Sequence, residues 1–332
     1  MRITSSHFVP GISKFPIPVN PRAKGPPYPV PTSPRGNPWP ILFYDQVAVQ
    51  SGGEQEFRSQ NFTNNTGRPI EFHSLRVVVS LLSAAAYPTV LGGGVIALAI
   101  AVDGVPVTRG PIPVWNLCRS DNRENDSFTN GITNYALYFA QPVPLLPGKT
   151  ITIQAKHLGV IAYGANVAVS LAGRVSKSAI PNRIPFISSW SSRAFGYNEA
   201  AIDSAPPAAL LNDSGRDLHV VRIIGRSVAY DDASLGAGAA NTEFRDFDDV
   251  SLQGVTSFRI RMGISQDRPI LKTFTPWRTV FGQNSTVETA FDLKPGDYLS
   301  ADVQHIAGPV LATPFVYSQN RGSLSIIGWR DV

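Results

Sequence analysis

The chain has 332 residues, of which 43% are apolar and 16% are charged, and its formal net charge is +5 at pH 7. This length accommodates two domains with separate cores, and the apolar content excludes a wholly disordered chain. Gly and Pro each occur 28 times, as in β proteins with many turns, and a lone cysteine, Cys118, excludes an internal disulfide.

The first 40 residues are expected to form an extended basic arm. They contain 11 of the 28 prolines, and no acidic residue precedes Asp45. Proline at this density prevents helix formation and regular strand pairing, so the arm should not fold alone. Basic and apolar side chains are interspersed along it, and we predict that they bind a partner, with a flexible leader as the other interpretation: Arg2, Phe8, Lys14, Phe15, Arg22, Lys24, Tyr28, Arg35 and Trp39. The N-terminus lacks the apolar core of a secretory signal.

After the arm, the chain repeats itself with an offset of 148 residues. Asn64-Asn65-Thr66-Gly67-Arg68 returns as Asn212-Asp213-Ser214-Gly215-Arg216, and Leu145-Leu146-Pro147-Gly148 returns as Leu293-Lys294-Pro295-Gly296. Several matches at one offset are difficult to obtain by chance. We interpret them as one domain duplicated in tandem.

The local patterns predict strands and turns. Apolar and polar residues alternate over Ile70 to Val79, Ile151 to Ala155 and Phe258 to Met262. The run Val95 to Val102 is apolar throughout, which predicts a strand buried on both faces, and it is too short to span a membrane. The repeated Pro-Gly and Asn-x-Thr/Ser-Gly segments predict turns, with glycine at positive φ. We expect no long helix.

The predicted fold is therefore all-β: two tandem antiparallel β-sandwich, jelly-roll-like domains related by internal duplication and preceded by the extended Pro-rich arm. Each copy spans about 120 residues, which suits a sandwich or jelly roll. The predicted bounds are 1–40 for the arm, 41–175 for the first sandwich, 176–207 for a linker and 208–332 for the second sandwich.

No sequence pattern indicates catalysis or a cofactor. The nucleophile elbow, the phosphate-binding loop, the dinucleotide fingerprint and the zinc-protease motif are all missing from the sequence. The five histidines are dispersed, and the equivalent pair His157 and His305 is interpreted as half-exposed strand residues rather than metal ligands. Cys118 follows an apolar run and is expected to be a core residue.

Two features leave a binding role open. Asp246, Asp248 and Asp249 form an acidic cluster that could hold Ca²⁺, with a solvated loop as the other interpretation. Trp115 and Trp277 each follow a proline-containing loop, and they could be buried plugs or exposed platforms for stacking on glycans.

The combination of a basic Pro-rich arm with two similar sandwiches resembles bacteriophage virion proteins with tandem jelly-roll domains. Two groups share this plan, the double jelly-roll capsid proteins and the capsid decoration, or cement, proteins. The resemblance implies a structural protein of the virion capsid, assembled in the host cytoplasm, that builds or cements an icosahedral shell by intersubunit packing and arm exchange. Its partners would be its own copies, in a homotrimer or pseudo-hexameric capsomer, and other capsid subunits. The basic arm would contact the genome or an acidic capsid surface, and no membrane span is expected.

The visible similarity between the two copies departs from double jelly-roll capsid proteins, whose halves have generally diverged further. The decoration or tail-attached interpretation therefore stays open. The alternative from another class is a glycan-binding adhesion module that uses Trp115 or Trp277. A jelly-roll polysaccharide lyase or hydrolase is a third class, which would need a pair of carboxylates that the sequence does not single out.

Overall fold

A computed structural model of the chain describes its residues in the ranges 40–49, 57–81, 96–117, 119–120, 132–158, 164–176, 183–193, 195–196, 201–230, 245–246, 256–263, 268–281, 286–305 and 319–331. In these ranges the structure is almost entirely antiparallel β-sheet, as the alternating sequence pattern predicts. Strand β9 illustrates the reason, because its residues are alternately half-buried and buried from Thr150 to His157.

The first sandwich contains the strands β1 to β10 and the short helix α1. Their bounds are β1 Pro40–Val49, β2 Arg58–Thr63, β3 Ile70–Leu81, β4 Ile96–Val102, β5 Val105–Pro106, β6 Ile112–Pro113, α1 Val114–Leu117, β7 Arg119–Ser120, β8 Ile132–Leu145, β9 Thr150–His157 and β10 Ala165–Val175. One sheet has the order β1-β10-β3-β8-β7, and the other has the order β2-β9-β4-β5, with β6 also paired to β4. The long strands alternate between the two sheets along the chain, which is the jelly-roll topology.

The second sandwich repeats this topology. Its elements are β11 Arg183–Ser191, β12 Phe195–Gly196, β13 Ala201–Ser204, a 3-10 helix at Pro207–Leu210, β14 Leu218–Tyr230, β15 Arg245–Asp246, β16 Thr256–Gly263, β17 Arg268–Pro269, β18 Thr275–Pro276, α2 Trp277–Phe281, β19 Thr286–Leu293, β20 Tyr298–His305 and β21 Gln319–Asp331. One sheet joins β11, β21, β14 and β19, and the other has the order β13-β20-β16-β17. The fold is thus two tandem jelly rolls.

The predicted linker at 176–207 needs correction, because most of its described part belongs to the second sandwich. β11 pairs along its whole length with β21, and β13 pairs with β20. The prolines that suggested a linker are compatible with a strand at this place. Pro185 lies in β11, which is at the edge of its sheet, where a missing backbone N–H is tolerated.

The turns that open matching strands have the same bonding in both sandwiches. Asn64 Nδ2 donates to the carbonyls of Arg68 and Leu145 at 2.7 and 2.8 Å, and Asn212 Nδ2 donates to those of Arg216 and Leu293 at 2.7 and 2.6 Å. The glycines predicted to have positive φ do have it: Gly67 (69°), Gly148 (75°), Gly215 (70°) and Gly296 (85°). The predicted turn geometry is confirmed.

A β-bulge occurs at the same place in each sandwich. The register of β10 against β3 shifts between Ala172 and Gly173, and the register of β14 against β21 shifts beside Gly328. A Cβ on either glycine would lie 2.3 Å from a backbone carbonyl oxygen of the neighbouring strand. Glycine is therefore required where the two strands approach most closely.

The hydrophobic core is continuous through both sandwiches. Buried side chains of the first sandwich, such as Phe72 and Val169, and of the second, such as Leu299 and Leu324, belong to one cluster. Each fully buried aliphatic or aromatic side chain contributes about 1.5–3 kcal/mol of hydrophobic free energy. The two sandwiches thus share one apolar interior.

Candidate assembly surfaces

The predicted arm residues Arg2, Phe8, Lys14, Phe15, Arg22, Lys24, Tyr28, Arg35 and Trp39 lie outside the described residues. Pro40 begins β1, so the arm leads directly into the edge strand of the first sandwich.

The junction between the sandwiches uses an edge strand of the second one. Ile187 of β11 donates its N–H to the carbonyl of Val107 at 2.8 Å and accepts the N–H of Arg109 at 2.8 Å. Thr108 and Ile187 form a parallel bridge. The segment 107–109 of the first sandwich therefore continues the β11 sheet and covers its open edge.

A buried asparagine bonds three serines across the same junction. Asn116 of α1 is 1% exposed. Its Nδ2 donates to Ser191 Oγ at 2.7 Å and lies 3.3 Å from Ser189 Oγ, while its Oδ1 accepts the hydroxyl of Ser323 at 2.9 Å. Because both polar atoms of the amide are bonded, its burial carries no unsatisfied group.

Charge and further hydrogen bonds complete the junction. Arg109 Nη1 donates to the carbonyl of Leu211 at 2.6 Å, and its Nη2 lies 2.9 Å from a carboxylate oxygen of Asp213. Arg330 Nη2 donates to the carbonyl of Pro106 at 3.2 Å. Arg109 is half-buried at this place, so its charge is paired where solvent is partly excluded.

The sequence did not single out the residues of this junction. Asn116 interrupts an otherwise apolar run, and the serines near 188–192 interrupt the apolar pattern of β11. Polar residues within buried runs are the signal that could have found them, because such residues need partners. Their partners lie far away in the sequence, and periodicity alone cannot supply them.

The matching surface of the first sandwich is exposed at residues that the structure describes. β1 occupies the place that β11 has in the second sandwich, at the edge and beside the last long strand. Leu42 and Tyr44 on β1 are 38% and 63% exposed. An edge strand that displays apolar and aromatic side chains is suited to pair with another chain.

A buried carboxylate lies on β20 of the second sandwich. Asp302 is 1% exposed and bonds Ser204 Oγ at 2.6 Å, Arg259 at 2.7 Å and Arg261 at 3.1 Å. Burial alone would raise the pKa of Asp302, but the hydrogen bonds from Ser204 and Arg259 and the charges of both arginines hold that pKa below its usual range. This arrangement is a structural ion-pair cluster, since the carboxylate is kept ionised and fully engaged.

The two equivalent histidines correct a prediction. His157 and His305 are 0% and 1% exposed, so they are buried rather than half-exposed. They end β9 and β20, where the alternation of the strand directs them inward. The other described histidines are half-buried, and burial together with the charge of Arg174 lowers the pKa of His73 to about 4.

The remaining candidate sites are only partly described. Trp277 begins α2 and Trp115 is the second residue of α1, but the side chains of both lie outside the description. Asp246 is in β15, paired with Val228, whereas Asp248 and Asp249 lie outside the described residues. Among the residues that the structure does describe, no three His, Cys, Asp or Glu side chains lie together as metal ligands would. In the same part of the chain, no helix has the length and apolarity needed to cross a bilayer.

No protein-family model matches the chain, and no curated protein matches it. Solved structures similar to it include viral capsid proteins. The major capsid protein P2 from bacteriophage PM2 has a TM-score of 0.38 and 8% sequence identity, and the similarity covers 86% of this chain and 98% of that chain. The PBCV-1 virus capsid gives a TM-score of 0.41 and 11% identity, covering 88% of this chain and 94% of that chain.

An enzyme is also among the similar structures. PNGase F, a glycosylasparaginase from Flavobacterium meningosepticum, has a TM-score of 0.30 and 10% identity, covering 89% of this chain and 97% of that chain. All three TM-scores are below 0.5. These similarities therefore carry no conclusion about function.

Proposed function

We propose that the protein is a structural component of a virion, which builds or cements an icosahedral phage capsid by intersubunit packing and arm exchange. One observation carries the proposal: two jelly rolls of the same topology are joined through a buried, hydrogen-bonded junction. A chain of this kind supplies two similar blocks in a fixed arrangement. Three copies then supply six blocks, enough for a six-lobed capsomer around a threefold axis.

The junction makes the pair of blocks rigid enough for this role. Edge pairing at Ile187, the bonds of Asn116 and the continuous core resist sliding of one sandwich on the other. A shell needs such rigidity because interfaces between subunits are specific only when the surfaces keep their shape.

The arm has a defined role in this proposal. It precedes β1, which lies at the edge of the first sandwich, and we expect it to reach a neighbouring subunit. Extended segments add to exposed sheet edges through main-chain hydrogen bonds. Basic side chains of the arm contact phosphate or an acidic capsid surface.

The mass of the purified protein in solution and negative-stain electron microscopy test the proposal. We expect trimers with a six-lobed outline, or shells. A variant lacking residues 1–39 should retain the circular dichroism of the intact chain and fail to form particles. Normal particles from the truncated variant would contradict the role of the arm. A full-length protein that stays monomeric at every concentration would contradict shell building and favour the glycan-binding alternative, which a glycan screen then tests.

A further inference from the structure

We propose that copies of this chain associate head to tail, with the open β1 face of one copy binding the segment 270–279 of the next. The inference rests on the proposed capsid function and deepens it by naming the surfaces. In each chain, the junction between the sandwiches already contains one complete interface of this kind. The counterparts of its two surfaces, the β1 face of the first sandwich and the segment 270–279 of the second, both display exposed residues.

The segment 270–279 is the counterpart of the segment 107–116 that forms the junction. The N–H groups of Val107 and Thr108 both donate to the carbonyl of Ile100, at 2.8 and 3.2 Å. The N–H groups of Ile270 and Leu271 both donate to the carbonyl of Ile260, at 3.0 and 2.9 Å. The two segments therefore have the same backbone conformation at the same place of each jelly roll.

Their burial differs sharply. Val107 is 0% exposed, because the second sandwich of its own chain covers it, whereas Ile270 is 47% exposed. Asn116 is 1% exposed, and its counterpart Thr279 is exposed. Equivalent residues are thus buried at an interface in one sandwich and exposed in the other.

The β1 face of the first sandwich is likewise more exposed than its counterpart in the second sandwich. Leu42 pairs with Ala172, and Ile187 pairs with Ile327, each partner being the residue before the bulge glycine. Leu42 and Ile187 are therefore equivalent, yet Leu42 is 38% exposed and Ile187 is 0% exposed. The outward residues of β10, such as Ser170, are half-exposed, whereas its counterpart Ser325 on β21 is buried.

The polar groups of the junction also have counterparts on the two open surfaces. Arg109, which bonds the carbonyl of Leu211, corresponds to the exposed Lys272, and Leu211 corresponds to Thr63. The basic side chain is kept, so Lys272 of one copy can donate to the carbonyl of Thr63 in the next. Asp213 corresponds to Asn65, which replaces the ion pair by a neutral acceptor.

Because the two open surfaces differ from each other, the contact is heterologous. Heterologous contacts generate closed rings when the rotation between subunits closes, and open filaments otherwise. If the junction within a chain is repeated between chains, each ring alternates first and second sandwiches. Three copies then give the six-lobed ring.

The first test disrupts each surface separately. The test uses Tyr44→Asp on the β1 face and Ile270→Asp in the segment 270–279. The control is Ile202→Asp, which changes a side chain that is 56% exposed on β13. Sedimentation should show trimers for the wild type and the control, and monomers with wild-type circular dichroism for the other two variants. Trimers from both variants would overturn the inference and leave the proposed function standing. A monomeric wild type would contradict both.

The second test identifies the orientation. Gln46→Cys and Thr279→Cys occupy the places equivalent to Ser191 and Asn116, whose side chains are 2.7 Å apart in the junction. Both variants carry Cys118→Ser in addition. Oxidation of a mixture of the two proteins should give a disulfide-linked dimer. Neither variant alone should crosslink. Dimers from Gln46→Cys alone would indicate a symmetric β1-to-β1 contact and overturn the head-to-tail arrangement.

Discussion

Asn116 shows how a single polar side chain fixes the relation between the two sandwiches. A buried amide in an apolar region is tolerated only when its donors and acceptor are satisfied, and here the partners come from two strands of the other sandwich. The requirement for these partners selects one docking register, since a shift of one residue would remove the serine hydroxyls from reach.

Replacing this side chain tests the claim. Asn116→Ala should lower the free energy of unfolding by roughly 1–3 kcal/mol, because three serine hydroxyls at the junction lose a shared partner. Urea unfolding followed by fluorescence measures the change. Asn61→Ala, at an exposed position of β2, is the matched control and should alter stability by no more than about 0.5 kcal/mol. Equal effects of the two substitutions would refute the special role of Asn116.

His73 gives the protein a pH dependence whose direction follows from its pKa. The pKa is 6.5 for the free side chain and about 4 in the folded protein, so the unfolded chain binds more protons between these values. The contribution of His73 to stability is therefore complete above pH 6.5 and is lost as the pH falls toward 4. His73→Gln should reduce the difference between the urea midpoints measured at about pH 7 and about pH 5. An unchanged difference would show that other groups cause it.

At the scale of elements, the sequence predicts the turns better than it predicts which strands pair with each other. The turns at Gly148 and Gly296 could be predicted from the local sequence, because the backbone there requires positive φ, which glycine adopts readily. The assignment of β11 to a linker was wrong because it relied on the prolines in the local sequence. The strand is formed by pairing with β21, which lies far away in the sequence. The exposure of Leu42 could not be predicted either, since its equivalent Ile187 is buried by contacts with the segment 107–109, which lies far away in the sequence.

The bulge glycines provide an element-scale prediction. Gly173→Ala and Gly328→Ala would each place a Cβ against a backbone carbonyl, which flexible side-chain motion cannot relieve. Each substitution should cost about 1–3 kcal/mol of stability through overpacking. Thermal unfolding monitored by circular dichroism measures the effect, with Ala172→Ser at the adjacent half-exposed position as control. Stability equal to that of the control would mean that the strands can separate at the bulge without penalty.

At the scale of the whole molecule, two jelly rolls with one continuous core should behave as one cooperative unit. The core cluster includes side chains from both sandwiches, and the junction is closed by backbone pairing as well as by side chains. The sequence indicated two similar sandwiches, but it could not indicate that they share an interior. That property arises from contacts such as Val107 with Ile187, which lie 80 residues apart in the chain.

Calorimetry tests this cooperativity. The intact protein should unfold in a single transition, because the residues of the junction are buried only where the two sandwiches meet. Val107→Asp should divide the unfolding into two transitions or lower its midpoint strongly, since a charge would enter a fully buried position. Val105→Asp, two residues away and 36% exposed, should behave as the wild type does. Two transitions in the wild-type protein would contradict the shared core.

The covering of β11 by the segment 107–109 also has a consequence for synthesis on the ribosome. The first sandwich ends with β10 at Val175, so it is complete before β11 leaves the exit tunnel. Each nascent chain therefore carries a finished template on which its second sandwich docks as it emerges. Domains generally fold in this order, from the N-terminus onward. In a polysome, the nearest template belongs to the same chain, and this proximity directs the second sandwich to its own partner before a neighbouring chain can take its place.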